Sequence, residues 1–275
     1  MTHHPVPNVL SIAGSDPSGG AGIQADLKAI SAQGCYAMAA ITALTAQNTR
    51  GVSGVHLMDP GFVAAQIDAV FEDIRVDAVK IGMLGSADIA AAVADALSRH
   101  RPAHIVLDPV MVAKGGDRLL TEAAVVMLRE RLLPLATVLT PNLPEAAVLL
   151  NAPEPTTREA MQQMAAALRA LGPADGSGSV LLKGGHLPGP ASPDLLSSPV
   201  GEHWLEAERI ASHNTHGTGC TLSSALAARL AVNGDVRLAT EQAKRYVAAA
   251  IAAADRLDVG RGHGPTHHFH ALWAK

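Results

Sequence analysis

The first structural unit of the chain is the segment Val9-Leu-Ser-Ile-Ala-Gly-Ser-Asp-Pro-Ser-Gly-Gly-Ala-Gly-Ile-Gln-Ala-Asp26. It begins with a short apolar run, continues through a glycine-rich turn and enters a helical pattern. Beyond it, short runs rich in β-branched residues alternate with longer Ala/Leu-rich segments. This alternation is typical of β-α units around a parallel sheet, so the sequence predicts an α/β fold.

The same patterns place the individual elements. Strands are predicted near residues 9–13, 36–44, 78–81, 105–108, 138–140 and 180–183. Helices are predicted near residues 23–33, 61–72, 86–100, 121–131, 157–171, 218–232 and 238–256. Gly34 and Gly172 lie where helices should end, and Pro60 where one should begin. Residues 187–201 are rich in Pro, Gly and Ser and predict a surface loop, and residues 1 to about 8 are expected to be disordered.

The amino-acid composition excludes several classes of protein and of function. Of 275 residues, 48% are hydrophobic and 17% charged, which excludes general disorder and fits one large domain over residues 1–275. Three Phe, two Trp and two Tyr with a net charge of -4 disfavour a nucleic-acid partner. Two cysteines are too few for a disulfide scaffold or a four-cysteine zinc site. With no signal peptide and no apolar run of about 20 residues, we expect a cytoplasmic protein that does not engage a membrane.

Small or polar residues follow several of the predicted strands. In open parallel sheets, ligands bind outside the carboxyl ends of the strands, so these clusters should converge on one crevice. The clusters are residues 14–16, 80–83, 108–111, 140–142 and 183–186.

Within the opening segment, residues 20–25 superficially match a dinucleotide fingerprint. The match is poor, because six residues separate the strand end at Ala13 from Gly20 and no acidic residue ends the next strand. A backbone nest close to a small ligand is the better interpretation. A simple turn that uses glycine for positive φ remains an alternative.

A second glycine-rich segment is Asn214-Thr-His-Gly-Thr-Gly-Cys-Thr221, immediately before an apolar helix. Its backbone N–H groups would lie at a helix N-terminus, where they favour a negative charge. The segment therefore predicts an anion hole. Cys220 would lie in the first turn, where the helix should depress its thiol pKa and allow it to act as a base. A buried, inert cysteine remains the alternative.

These motifs together resemble the hydroxymethylpyrimidine/phosphomethylpyrimidine kinases of thiamine biosynthesis, in the ribokinase-like superfamily. The resemblance extends from about Val9 to Trp273. It implies a central, mostly parallel sheet with helices on both faces and a small β flap at its edge. It also implies ATP and Mg²⁺ as phosphoryl donor and cofactor, and a homodimer. The segments that carry it are residues 11–28, 41–49, 80–83, 140–146, 183–186 and 214–220.

The resemblance assigns a substrate side. Gln47 is implied to read the pyrimidine, and one amide offers both the acceptor and the donor that an aminopyrimidine edge requires. Gly14 and Asp26 are implied to contact the substrate, with Met83 as an apolar wall. Taken singly, Gln47 could be a solvent-facing residue at a strand end, and Asp26 a first-turn acid stabilised by the helix dipole.

It also assigns a nucleotide side. Lys183 and Thr215 are implied to bind the nucleotide together with Asn142, while Glu145 and Asp108 are implied to lie beside Mg²⁺. Asn142 and Glu145 also have capping-box spacing, so a helix start is an alternative. The catalytic group would be Cys220, with the amides of Gly217 and Gly219. Lys114 could belong to a mobile flap.

The implied activity is phosphorylation of 4-amino-5-hydroxymethyl-2-methylpyrimidine by ATP, first to the monophosphate and then to the diphosphate. Pyridoxal kinase of the same superfamily is an alternative, and a non-catalytic pyrimidine sensor is another. The tail His267-His-Phe-His270 invites a metal hypothesis. A lone His-x-His pair without a third ligand is weak support for one.

Overall fold

The computed structural model describes residues 5–111 and 121–273, which contain ten strands and eight α-helices. The strands are β1 (Asn8–Ala13), β2 (Tyr36–Ile41), β3 (Ala43–Asn48), β4 (Gly51–Leu57), β5 (Ala78–Ile81), β6 (Ile105–Leu107), β7 (Val138–Leu139), β8 (Ser179–Lys183), β9 (Asp194–Ser198) and β10 (Gly201–Leu205). The helices are α1 (Gly22–Ala32), α2 (Pro60–Asp73), α3 (Ala87–His100), α4 (Glu122–Met127), α5 (Leu143–Leu150), α6 (Arg158–Arg169), α7 (Thr218–Asn233) and α8 (Val236–Ala252).

Eight strands form one sheet in the order β10-β9-β8-β7-β6-β5-β1-β2. Neighbours from β8 to β2 pair in parallel, whereas β9 and β10 form an antiparallel edge. The chain first moves from β1 to β2 on one side and later places β5 on the other side of β1. The strand order therefore reverses between β1 and β5, which is where an open α/β sheet binds its ligands.

Helices cover both faces of this sheet. Leu10 and Ile12 of β1 pack in a core layer with residues of α2 and α3, while Val9 belongs to a second layer with α1, α7 and α8. Strands buried on both faces carry near-continuous apolar runs, as the sequence showed. The predicted α/β architecture is confirmed. No helix in the described part of the chain is long and apolar enough to cross a bilayer.

The strand predicted over residues 36–44 is divided at Thr42. Its side-chain hydroxyl donates to the Met83 carbonyl at 2.7 Å, and the chain then leaves the main sheet. Beyond this point β3 and β4 form a separate two-stranded sheet, the small flap that the family resemblance implied. β4 was missed because none of its residues is buried, so it lacks the apolar alternation of a core strand.

The loop predicted over residues 187–201 contains a buried strand. All of β9 is buried, with Leu195 and Leu196 in the core, so the loop interpretation was wrong here. Pro193 and Pro199 flank this five-residue strand and hid it in a Pro-rich pattern. The pairing of β9 with β8 matters for the ligand crevice, because the Asp194 carboxylate accepts the backbone N–H of Gly184, just after β8.

Other element ends also differ from prediction. Asn8, which we expected to be disordered, is the first residue of β1, and its N–H donates to Asp77 Oδ2 at 2.8 Å. The helix predicted over residues 121–131 is α4 followed by a π turn at Leu128–Leu132. Asn142 opens an additional helix, α5, with a complete capping box.

A polar network joins four elements inside the protein. Asp26 of α1 accepts from Lys80 Nζ of β5 at 2.8 and 2.9 Å, and neither side chain has exposed surface. Ser11 of β1 and Ser224 of α7 donate to the same carboxylate at 2.6 and 2.7 Å. Asp26 raises the pKa of Lys80 against the opposing effect of burial. The network therefore fixes both helices against the two central strands.

We predict that Asp26→Asn lowers the free energy of unfolding by about 3–5 kcal/mol, because it leaves the buried Lys80 ammonium without its carboxylate. Urea denaturation measures this change. The matched control is Asp68→Asn, which weakens partly exposed contacts with Arg99 at 2.8 Å and His100 at 2.7 Å and should cost no more than about 1 kcal/mol. Equal small losses in both variants would contradict a structural role for the buried pair.

Candidate active site

One cleft of about 600 Å³ opens at the carboxyl ends of the central strands. All the predicted site residues except Asp26 and Thr215 line it, which brings the expected substrate and nucleotide sides into one space. The predicted residues in its wall are Gly14, Gln47, Met83, Asp108, Asn142, Glu145, Lys183, Gly217, Gly219 and Cys220.

The two exceptions have different places. Asp26 is wholly buried beneath the cleft by its four polar contacts, so the direct substrate contact expected of it is not supported. Its role is to hold Lys80, which does line the cleft. The Thr215 carbonyl accepts from the N–H and the hydroxyl of Thr218, at 3.4 and 2.8 Å, so Thr215 lies just before α7 and outside the cleft wall. Lys114 lies outside the described residues.

The glycine-rich turn after β1 is closed on itself. The Asp16 carboxylate accepts the backbone N–H groups of Ser18 and Ala21, both at 2.9 Å. A Cβ on Gly22, whose φ is +56°, would overlap the Gly14 carbonyl oxygen. Two amides of the predicted nest, those of Ser18 and Ala21, are therefore bound by Asp16, and glycine is needed at position 22 for close backbone approach.

Gln47 faces the cleft from β3. The pairing of β3 with β4 shifts register between Ala46 and Gln47, and a bulge of this kind re-aims a side chain. Gln47 Nε2 lies 3.4 Å from His216 Nε2, which in turn lies 2.8 Å from Asp16 Oδ2. Because His216 Nε2 carries the proton that Asp16 accepts, it cannot also accept from Gln47. The Gln47 amide N–H groups are therefore available to a ligand.

The anion loop, residues 217–220, begins α7. Gly217 is the N-cap residue with φ +75°, and a Cβ there would overlap the Gly20 carbonyl oxygen. Gly219 has no such backbone requirement. Its hypothetical Cβ would lie 3.5 Å from Lys183 Nζ and 3.8 Å from Asp108 Oδ2, so this glycine keeps open the space in front of the lysine.

Cys220 lies in this first turn, but its thiol does not have the depressed pKa that we expected. Burial raises the pKa of Cys220 to about 11, against the lowering effects of Lys80 and of a hydrogen bond from the Gly22 N–H. Nearby Asp26 and Asp108 raise it further. The expected depression of the pKa is not found, because burial and two carboxylates raise it more than Lys80 and the Gly22 N–H lower it.

A charged cluster faces the anion loop. Lys183 Nζ lies 3.1 Å from Asp108 Oδ1 and 3.8 Å from Glu145 Oε2. Burial alone would lower the pKa of Lys183, but the two carboxylates raise it to about 12. Burial raises the pKa of Glu145 to about 7, and Asp108 adds to this effect. The pKa of Asp108 is lowered, because Lys183 and Lys80 overcome its burial.

Asn142 and Glu145 do form the capping box that their spacing allowed. Asn142 Oδ1 accepts from the Glu145 N–H, and Glu145 Oε2 accepts from the Asn142 N–H, both at 2.8 Å. Both residues also line the cleft. Capping and ligand binding are thus compatible, because the cap directs the Glu145 carboxylate toward Lys183.

Six polar residues of the cleft wall received no individual role from the sequence, namely Ser15, Asp16, Thr45, Lys80, His186 and His216. Each lies inside a quoted motif, yet none has a spacing that singles it out. Their position at the end of predicted central strands had placed Asp16 and Lys80 in the clusters expected at the crevice, but it did not indicate what each side chain does. The contact between Asp16 and His216 spans 200 residues and follows only from the fold.

Comparison with known proteins identifies the family of this chain. The family model for phosphomethylpyrimidine kinase matches residues 16–267. A hydroxymethylpyrimidine/phosphomethylpyrimidine kinase of Escherichia coli is 54% identical over 266 residues, covering 97% of this chain and 98% of the relative.

Two solved structures share the fold. An ADP complex of Bacillus subtilis pyridoxal kinase superposes with a TM-score of 0.88 at 37% identity, covering 97% of this chain and 99% of that chain. A phosphomethylpyrimidine kinase of Clostridium difficile superposes with a TM-score of 0.78 at 41% identity, covering 89% and 99%. Because the family model and the Escherichia coli relative both span nearly the whole chain, this protein belongs to the phosphomethylpyrimidine kinase family.

Proposed function

We infer that this protein uses ATP to phosphorylate 4-amino-5-hydroxymethyl-2-methylpyrimidine and then its monophosphate, in thiamine biosynthesis. Family membership supports the reaction. The observation that carries the assignment to this cleft is that Gln47, the anion loop and Lys183 line one space. Transfer of a phosphoryl group between two small molecules requires that both bind in one cleft. Gln47 would bind the pyrimidine there, and Lys183 and the anion loop would bind the phosphates.

On the substrate side, Gln47 binds the aminopyrimidine edge. Its Oε1 accepts from the exocyclic amine, and its Nε2 donates to the adjacent ring nitrogen. Met83 and the backbone at Gly14 lie in the same wall and pack against the neutral ring. This arrangement directs the hydroxymethyl group toward Cys220 and the anion loop.

On the nucleotide side, Lys183 and Asn142 bind the phosphates, with Thr215 holding the chain just before the anion loop. Asp108 and Glu145 would hold Mg²⁺, since both are carboxylates in the cleft wall. The described residues contain no cluster of three or more ligands able to cage a metal. Mg²⁺ usually takes one or two carboxylates from the protein and completes its shell with phosphate and water. When bound, it would neutralise charge on the transferring phosphoryl group.

In the first reaction the hydroxymethyl oxygen forms a bond to the γ-phosphorus as the bond from that phosphorus to ADP breaks. The hydroxyl proton passes to Cys220 in its thiolate form, which becomes the thiol. The Gly217–Cys220 amides and Lys183 stabilise the charge on the phosphoryl oxygens. In the second reaction the acceptor is a phosphate that is already ionised near neutral pH, so no base is needed.

We also propose that residues 1–275 form one kinase domain that acts in the cytoplasm. Two copies would associate as a homodimer, as the family resemblance implies. Light scattering during gel filtration would give the mass of the assembly. Twice the 28.3 kDa of one chain is the expected result.

The substrate assignment predicts ATP consumption that depends on the pyrimidine alcohol and yields two ADP per pyrimidine. A coupled assay for ADP should give a kcat/KM at least about tenfold higher with this alcohol than with pyridoxal, because Gln47 matches an aminopyrimidine edge. Pyridoxal is the right comparison, since a pyridoxal kinase shares the fold at a TM-score of 0.88. A preference for pyridoxal would overturn the assignment, and binding without ATP consumption would indicate a sensor.

For the pyrimidine reader, we predict that Gln47→Ala weakens pyrimidine binding by about 5- to 150-fold, because unpaired polar groups in the site cost about 1–3 kcal/mol. Nucleotide affinity should not change. Isothermal calorimetry measures both. Asn48→Ala is the control, since Asn48 is the exposed next residue of the same strand. Unchanged pyrimidine affinity in Gln47→Ala would remove Gln47 from the substrate site.

For the proposed base, we predict that kcat/KM of the alcohol step rises about tenfold per pH unit from pH 7 to 9 relative to the monophosphate step. The sign follows from the thiol, whose pKa of about 11 leaves it mostly protonated at pH 7, so raising the pH supplies thiolate. Groups used in both steps cancel in this ratio.

Cys220→Ala should remove that slope and slow the alcohol step by about 100-fold or more in single-turnover kinetics, with a much smaller effect on the monophosphate step. Cys35→Ala, at the other free cysteine, is the control and should leave the ratio unchanged. Equal losses in both steps would assign Cys220 to the shape of the anion loop instead.

A further inference from the structure

The C-terminal segment of the described chain runs directly behind the anion loop. We call residues 262–268 the C-terminal strap. The His216 N–H donates to the Gly264 carbonyl at 3.0 Å, and the Gly262 N–H donates to Thr49 Oγ1 at 3.1 Å. The strap therefore contacts the loop that precedes α7. It also contacts the turn between β3 and β4, next to the strand that carries Gln47.

The strap is itself anchored to α8 and the residues around it. The His267 N–H donates to the Ala250 carbonyl at 2.9 Å, and the Tyr246 hydroxyl donates to the His268 carbonyl at 2.8 Å. These two bonds hold His268 on both sides and direct its ring inward. His268 has only 5% exposure, so the ring is part of the interior and not of a flexible tail.

Inside, His268 Nε2 lies 3.0 Å from Thr221 Oγ1, and Thr221 has no exposed surface. Thr221 Oγ1 also lies 2.8 Å from the Gly217 carbonyl oxygen, which has no proton to give. The Thr221 hydroxyl donates to Gly217, so its Oγ1 can only accept from its other neighbours, and His268 Nε2 at 3.0 Å is nearer than Thr266 Oγ1 at 3.3 Å. Burial lowers the pKa of His268 to about 3, so the ring is neutral, and donation to Thr221 Oγ1 places its one proton on Nε2.

The Gly217 carbonyl is the N-cap acceptor of α7. It receives both the Thr221 N–H and the Thr221 hydroxyl at 2.8 Å. Its two donors hold the first turn of α7 closed, and the early amides of that turn have no intrahelical acceptor. Any rotation of the Thr221 hydroxyl would remove one of the two bonds and loosen the turn that presents the Gly219 and Cys220 amides.

We propose that His268 is a positioning residue for phosphoryl transfer, acting through Thr221 to fix the anion loop from behind. The expected effect on kcat rests on the proposed function. The contact between His268 and Thr221 that positions the loop is present in the free protein. It gives the His-rich tail a role without metal chemistry. His268 does not touch the substrate, so it should affect kcat far more than KM for the pyrimidine.

The kinetic test uses His268→Leu and Thr221→Val. Each should lower kcat of the alcohol step by roughly tenfold, the equivalent of one hydrogen bond, with KM for the pyrimidine within about twofold. Both variants break the same contact, between His268 and Thr221. The double variant should therefore lose no more of kcat than either single variant. His268→Gln, which retains a donor at Nε2, should recover most of the rate.

Thr240→Val is the matched control. Thr240 is also fully buried and donates to the carbonyl four residues earlier, Val236, at 2.7 Å in α8, away from the cleft. This variant should keep kcat within about twofold of wild type if the effect at Thr221 is specific. If His268→Leu does not fold, Thr221→Val compared with Thr221→Ser carries the same test.

A second measurement does not depend on turnover. Amide hydrogen exchange at residue 221 in the free protein should be at least about tenfold faster in His268→Leu than in wild type or Thr240→Val. Unchanged exchange, unchanged kcat, or a double variant whose loss is the product of the two single losses would overturn the proposal. If the wild-type protein is inactive on the pyrimidine alcohol but exchange at residue 221 is still faster in His268→Leu, only the proposed function would be overturned.

Discussion

Asp26 and Lys80 form an ion pair with no exposed surface, and β1, β5, α1 and α7 all contribute to it. Breaking such a pair leaves a buried charge, so these four elements can occupy few other arrangements. β1 and β5 are also the strands between which the sheet order reverses. The constraint that stabilises the centre of the fold therefore also fixes the floor of the cleft.

The same pair sets the electrostatics above it. Lys80 lowers the pKa of both Asp108 and Cys220, while burial and the carboxylates keep the thiol protonated at neutral pH. Two lysines and four carboxylates thus lie in or under one cleft. In the proposed function, an incoming nucleotide would bring several negative charges to this cluster. A cation bound with the phosphates would favour the ionised form of Glu145, whose pKa burial raises to about 7.

Much of this was accessible from the sequence. The strand-end clusters predicted the crevice, because the carboxyl ends of parallel strands meet at one edge. Predictions failed where two local effects compete. The helix N-terminus favours a thiolate at Cys220, but desolvation is larger. Flanking prolines favour a loop around Leu195, but its burial makes a strand. Contacts such as His216 with Asp16 depend on the fold and have no local signal.

The central claim is that one cleft holds the pyrimidine at Gln47 and the transferring phosphoryl group at the anion loop. A crystal structure of the wild-type protein with the pyrimidine alcohol and a non-hydrolysable ATP analogue tests it most directly. We predict the aminopyrimidine edge on the Gln47 amide and the hydroxymethyl oxygen beside Cys220, in line with a γ-phosphate bound by Lys183 and the Gly219 amide. A pyrimidine bound elsewhere, or a γ-phosphate remote from the anion loop, would contradict the account.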